Sequence, residues 1–181
     1  MTYYERKLPH WQPKGQHLFV TWRLYGSLPH SVLAELRSDP EVEKGRRFLQ
    51  FDAELHKVVS GPHWLDKPEI ATLVQQEILR LVQEGLCIVH SYVIMPNHVH
   101  MLLDPKVELR NITKAIKGRS AITCNQVLGR SGEHFWQDES YDHWVRNAES
   151  LRKIQAYIER NPVLAGLVIK PADWHWSSAH K

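Results

Sequence analysis

Two histidines, His98 and His100, stand two residues apart just past a Met95-Pro96-Asn97 corner. Residues two apart on a strand point the same way, roughly 6.5–7 Å apart along the backbone. Their imidazoles can therefore converge on one divalent ion while Val99 faces the other layer. An isolated His-x-His fits two hydrogen-bonded histidines equally well, so a metal site needs more donors. Tyr157 and Asn161 are the candidates: at helical spacing they lie about 40° apart around the axis, on one face. A phenol with a pKa of about 10 needs a positioned base or a polarised electrophile to attack well. A metal beside Tyr157 would polarise a phosphate and neutralise developing charge, and Asn161 could lend it a carbonyl oxygen. The same spacing also suits a core tyrosine and an asparagine that closes a helix before Pro162.

The elements that must place these groups are marked in the sequence. Leu86–Met95 is dense in β-branched and apolar residues, and His98–Leu103 alternates with period two before Asp104-Pro105 closes it. Gln16–Tyr25 reads as a first strand ended by Gly26-Ser27. Helical stretches are expected at Val32–Arg37 and Glu41–Val59, with Ser60-Gly61-Pro62 as a break, so that about 28–65 forms an insertion or cap on a single domain spanning 1–181. The next helix has Asp66 to cap it, Pro68 in its first turn and Gly85 to stop it. Its stripe is Ile70, Leu73, Val74, Ile78, Leu81 and Val82. Further helices are predicted over about Glu108–Leu128 and Ala148–Arg160, the last ending before Pro162. Strands joined by tight turns, with helices between, imply an α+β fold on an antiparallel sheet.

A substrate surface is also readable. Arg110, Lys114 and Lys117 fall along one side of the Glu108–Leu128 helix, with Arg119 and Arg130 nearby, and could track a phosphate backbone. Any solvated helix face looks similar. His134, Trp136, Gln137, His143 and Trp144 cluster in a glycine-punctuated segment that could read unpaired bases, although packing explains the tryptophans equally well.

Composition narrows the class. A length of 181 residues, 43% hydrophobic and 24% charged, suits one globular domain with a sizeable core. No apolar run approaches the roughly 18 residues of a membrane span, and the opening Met1–His10 lacks the apolar core of a signal peptide, so the cytoplasm is expected. A net charge of +3 says little by itself about nucleic acid. Cys87 and Cys124 have no metal-ligand spacing and are expected to be reduced and buried.

The run Tyr92–Leu103, followed by Phe135-Trp136-Gln137, then Tyr157–Val168 and the ending Trp176-Ser177-Ser178, resembles the single-tyrosine HUH transposases, especially the branch associated with repetitive extragenic palindromes. Gly61-Pro62-His63-Trp64-Leu65 belongs to the same likeness, which extends in order over most of the chain. The resemblance implies a ferredoxin-like α+β fold, an antiparallel sheet with helices packed on it, whose central strand offers His98 and His100 to Mg²⁺ or Mn²⁺. It implies Tyr157 as nucleophile and Asn161 as the amide that completes the metal site. The implied substrate is single-stranded DNA at hairpins or palindromic repeats, nicked and rejoined through a 5′-phosphotyrosine link, by a monomer or homodimer that joins the nucleoid when bound to DNA. A domesticated hairpin-binding protein without turnover, and a metal hydrolase that uses water, are the rival readings.

Overall fold

The period-two run after the Pro96 corner forms a strand and continues two residues beyond the predicted end. In the computed structural model, which describes residues 2–5, 9–12, 16–29, 32, 44–57 and 61–180, this strand is β5, His98–Pro105. In chain order the elements are β1 (Thr2–Glu5), β2 (Pro9–Gln12), β3 (Leu18–Arg23), α1 (Lys44–Lys57), α2 (Pro68–Gln83), β4 (Cys87–Ile94), β5, α3 (Leu109–Val127), β6 (Tyr141–Trp144) and α4 (Ala148–Leu164). The main sheet runs β4-β5-β3-β6 with every neighbour antiparallel. With α2 between β3 and β4 and α3 between β5 and β6, this is the ferredoxin-like order expected. β1 and β2 pair in a separate hairpin.

The pleat sorts the sheet into two faces. Val20, Trp22, Val99, Met101 and Leu103 meet α2 and α3 in one apolar layer. Phe19, Val93 and Leu102 face the other way, toward Phe48 of α1 and Ile158 of α4. Of the predicted α2 stripe, Ile70, Val74, Ile78 and Leu81 are fully buried, each stabilising the fold by roughly 1.5–3 kcal/mol relative to exposure. Val82 is exposed.

Several boundaries differ from expectation. Asp66 does not cap α2; it ends a 3-10 turn, Trp64–Asp66, and Lys67 precedes Pro68 without a side-chain cap. The last helix does not stop before Pro162 but runs through it to Leu164. Proline there costs about 3 kcal/mol in principle. Burial of Asn161 and Pro162, with closing bonds from Ala165 N to Asn161 O (3.0 Å) and Leu167 N to Pro162 O (2.9 Å), carries the chain one turn further. The glycine-punctuated segment that holds His143 and Trp144 contains an edge strand, β6, with His143 opposite Phe19 and Trp144 opposite Leu18. Trp136 is a core residue whose indole donates to Ser120 Oγ at 2.9 Å. Of the helix expected at Val32–Arg37, residues 33–37 lie outside the described residues, and the Glu41–Val59 stretch is represented by α1.

The Pro96 corner is anchored on three sides. Leu24 N donates to Asn97 O (2.8 Å), Leu65 N to Pro96 O (3.1 Å), and Asn97 Nδ2 to Leu55 O of α1 (3.0 Å). Gly61 permits the close approach of the 61–65 segment, since a Cβ there would stand 2.9 Å from the Gly26 carbonyl oxygen. Among the described residues, no helix is long and apolar enough to cross a membrane.

Candidate active site

His98 and His100 lie on the α1–α4 face of β5, 1% and 0% exposed, with their Nε2 atoms 3.1 Å apart. Asn97 fixes the first ring. Its Nδ2 is committed to the Leu55 carbonyl, so its Oδ1 accepts from His98 Nδ1–H at 2.6 Å. Burial, then the neighbouring His100, pushes His98 well below the ordinary histidine range. His98 is therefore neutral with its Nε2 lone pair turned inward. His100 Nδ1 meets Thr21 Oγ1, across the sheet on β3, at 2.7 Å. A hydroxyl accepts as readily as it donates, so Thr21 can take that Nδ1 proton and free Nε2 to ligate.

The third donor is Asp52 on α1, 1% exposed. Its Oδ1 is 3.0 Å from His100 Nε2 and 3.4 Å from His98 Nε2, yet has no well-aligned hydrogen-bond partner. Burial alone would raise this carboxyl; its interactions with the imidazoles of His100, then of His98 and His56, outweigh that and hold it far below the usual carboxylate range. The donor atoms of Asp52, His98 and His100 all lie within 4.8 Å of one another, a buried triad that could bind a metal ion. An anionic oxygen without a partner, beside an inward lone pair, fits a small cation.

Tyr157 and Asn161 converge on the same carboxylate from α4. The Tyr157 hydroxyl donates to Asp52 Oδ2, and Asn161 Nδ2 donates to it at 3.2 Å. Burial first, then the Asp52 charge and the bond to it, hold the phenol proton far more tightly than in water. Asn161 is fully buried, and its Oδ1 faces His56 Nε2 at 3.0 Å. The amide thus reaches the triad through Asp52 and His56, with its oxygen turned to the histidine. Tyr157, Asp52 and both histidines meet within one chain.

Asp52, His56 and Thr21 escape the sequence reading. The signal for the first two is visible in retrospect: Phe48, Asp52, Leu55 and His56 share one helical stripe, and a carboxylate within an apolar stripe requires buried partners. Thr21 carries no signal, because only the β3–β5 register sets it opposite His100.

The basic residues are placed elsewhere. Arg110, Lys114 and Lys117 belong to α3, which packs on the opposite face of the sheet from the histidines. Lys114 is exposed, and Arg110 is exposed in an ion pair with Glu108 (2.9 Å). Lys117 donates to the carbonyls of Gln137 (2.6 Å) and Asp138 (2.7 Å), tying α3 to the loop before β6. Arg119 grips both oxygens of Glu84 at 2.9 Å. Arg130 pairs with Glu133 and lies 3.9 Å over the Trp64 ring.

A known structure shares this architecture. A solved REP-associated tyrosine transposase bound to a REP hairpin superposes with a TM-score of 0.63 at 18% identity, covering 99% of this chain and 84% of that one. A second solved structure, of a protein from Deinococcus radiodurans R1, aligns at 16% identity and a TM-score of 0.44, over 87% of this chain and 98% of that one. None of the curated proteins matches the chain. The family described as "Transposase IS200 like" matches residues 62–161, a span that holds His98, His100, Tyr157 and Asn161. By that match over more than half its length, the chain belongs to the IS200-like transposase family.

Proposed function

We propose that this protein is a metal-dependent transposase of the REP-associated type that nicks and rejoins single-stranded DNA at hairpins or palindromic repeats. One observation carries the reading: Tyr157 meets the carboxylate that stands against His98 Nε2 and His100 Nε2, so nucleophile and metal donors share one point. The hairpin bound in the structure that shares the fold supports the choice of substrate.

When bound by His98, His100 and Asp52, Mg²⁺ or Mn²⁺ supplies positive charge that polarises a phosphate oxygen and offsets the carboxylate; the imidazole donors favour Mn²⁺. Without that charge, burial and Asp52 keep Tyr157 protonated and unreactive. In the reaction, Tyr157 Oη forms a bond to phosphorus as its proton leaves toward Asp52 Oδ2. The P–O3′ bond breaks, and the released 3′ oxygen takes up a proton to give a free hydroxyl. The 5′-phosphotyrosine retains the bond energy, so the reverse attack joins strands without an external energy source. Asn161 and His56 hold the carboxylate in place. A cleft lined by His56, His63, Asp66, Asn97, His98 and Leu167 opens beside the first histidine of the triad. Arg110 and Lys114, on the other face, would serve flanking DNA.

The test is a labelled single-stranded hairpin incubated with the protein and Mn²⁺. A denaturation-resistant adduct that disappears in Tyr157→Phe is expected. One observation favours a second reading, a hairpin-binding protein without turnover: the phenol is held on Asp52 of α1 and packs near Phe48. Shifted mobility of the hairpin with no adduct at any metal concentration would establish that reading and overturn the first.

A further inference from the structure

Asp104 lies on the same face of β5 as His98 and His100, four residues beyond His100, hence about 13–14 Å away along the strand. It stands directly opposite Ile88 on β4 and one register step beyond the Leu18–Leu103 pair on β3. His17, immediately before β3, pairs through Nδ1 with Asp104 Oδ1. His90 of β4 places Nε2 3.0 Å from Asp104 Oδ2. The two imidazole rings are 4.9 Å apart and nearly perpendicular.

The backbone brings His90 there by an irregularity. The β4–β5 register shifts between Val89 and Ser91, so His90 is an extra residue with no partner on β5. Val89 packs with the α2–α3 layer, whereas Ser91 stands opposite Leu102 on the other face. A bulge re-aims the inserted side chain, and here it turns His90 toward Asp104. Its Nε2 is buried and makes no well-aligned hydrogen bond, despite lying so near the carboxylate. The His17 bond satisfies one carboxylate oxygen, while His90 approaches the other without an aligned hydrogen bond. Donor atoms aimed at a common point between them explain that arrangement well.

We propose that His17, His90 and Asp104 form a second divalent-metal site, for a borderline transition ion such as Zn²⁺. One donor atom from each lies within 4.8 Å of the others, a spacing open to shared coordination. Two nitrogens and one oxygen suit Zn²⁺ and disfavour Mg²⁺, which takes oxygen donors. The side chains are 37% (His17), 29% (His90) and 25% (Asp104) exposed, so an ion can enter from solvent and keep positions for water or a phosphate oxygen. The separation from the buried triad far exceeds the roughly 3.5–4 Å of a two-metal centre. The ion would therefore act alone, clipping β3, β4 and β5 together, and the inference does not rest on the nicking chemistry.

The test is calorimetric titration of the metal-free, full-length protein with Zn²⁺ in excess Mg²⁺. The His98→Ala/His100→Ala double variant is expected to bind one equivalent per chain. Adding Asp104→Asn or His90→Gln should weaken that binding at least 100-fold. Zinc binding that survives those changes, or none in the double variant, would overturn the proposal. Should a variant fail to fold, the ring ¹⁵N shifts of His17 and His90 in the unmodified protein decide. Movement of both on adding one Zn²⁺ beyond saturation of the buried triad supports the site, and unmoved rings refute it.

Discussion

The two ends of β5 carry the same side-chain types in opposite settings. At one end His98, His100 and Asp52 are sealed, and three neighbours, Asn97, Thr21 and Tyr157, fix or share their remaining atoms. At the other, His17, His90 and Asp104 are half-exposed and come from the approach to β3, a bulge in β4 and the end of β5. The donor set is the same; what differs is what surrounds it. A sealed carboxylate beside a phenol holds that phenol's proton, whereas an open cluster offers room for an ion. What separates the two clusters is the helix α1, which covers one and not the other.

Removing a donor from the sealed end sharpens that contrast most. His100→Ala should abolish adduct formation and weaken Mn²⁺ binding by more than the ~10–100-fold typical of losing an outer partner. Zinc uptake at the open end should be unchanged. Equal loss at both ends, measured by titration, would mean that they are one coupled unit.

The opposite face of the sheet gives the next largest effect. Ile116 is fully buried between α3 and the core. Ile116→Ala should cost roughly 2–5 kcal/mol in urea unfolding, with metal affinity unaltered. A parallel loss of affinity would show that the two layers are not independent. Smaller still is Thr21→Val, which keeps the shape but leaves His100 Nδ1 unpaired; metal affinity should fall ~10–100-fold with little change in unfolding midpoint. An unaltered affinity would remove Thr21 from the site.

The smallest effect concerns the thiols, free and buried on the apolar side. Burial pushes Cys87 from the ordinary 9.0 up to about 11 and Cys124 up to about 12. Both should resist alkylation at pH 8 until the chain is unfolded. The sign on stability follows: the neutral thiols' contribution is complete below pH 9, where unfolded thiols are also protonated, and is lost as pH rises through 11–12. Wild type should therefore lose more stability than Cys124→Ala over that range, and identical pH curves would contradict the burial.

The sequence by itself determined the strand pair around Pro96, the common face of His98 and His100, and the shared face of Tyr157 and Asn161. Periods of 2 and 3.6 are local geometry and need no partner. It also carried the α2 stripe and the burial of both cysteines. Only the tertiary structure decided that Asp52 joins the histidines, because its stripe on α1 acquires meaning when the helix docks on the sheet. The same holds for Thr21, placed by register, and for His90, turned by a bulge. The helix that passes through Pro162, against its local signal, does so because burial of Asn161 and Pro162 outweighs one lost hydrogen bond. Local spacing can say which side chains point the same way; which of them meet is settled by long-range packing, whose energy no single segment contains.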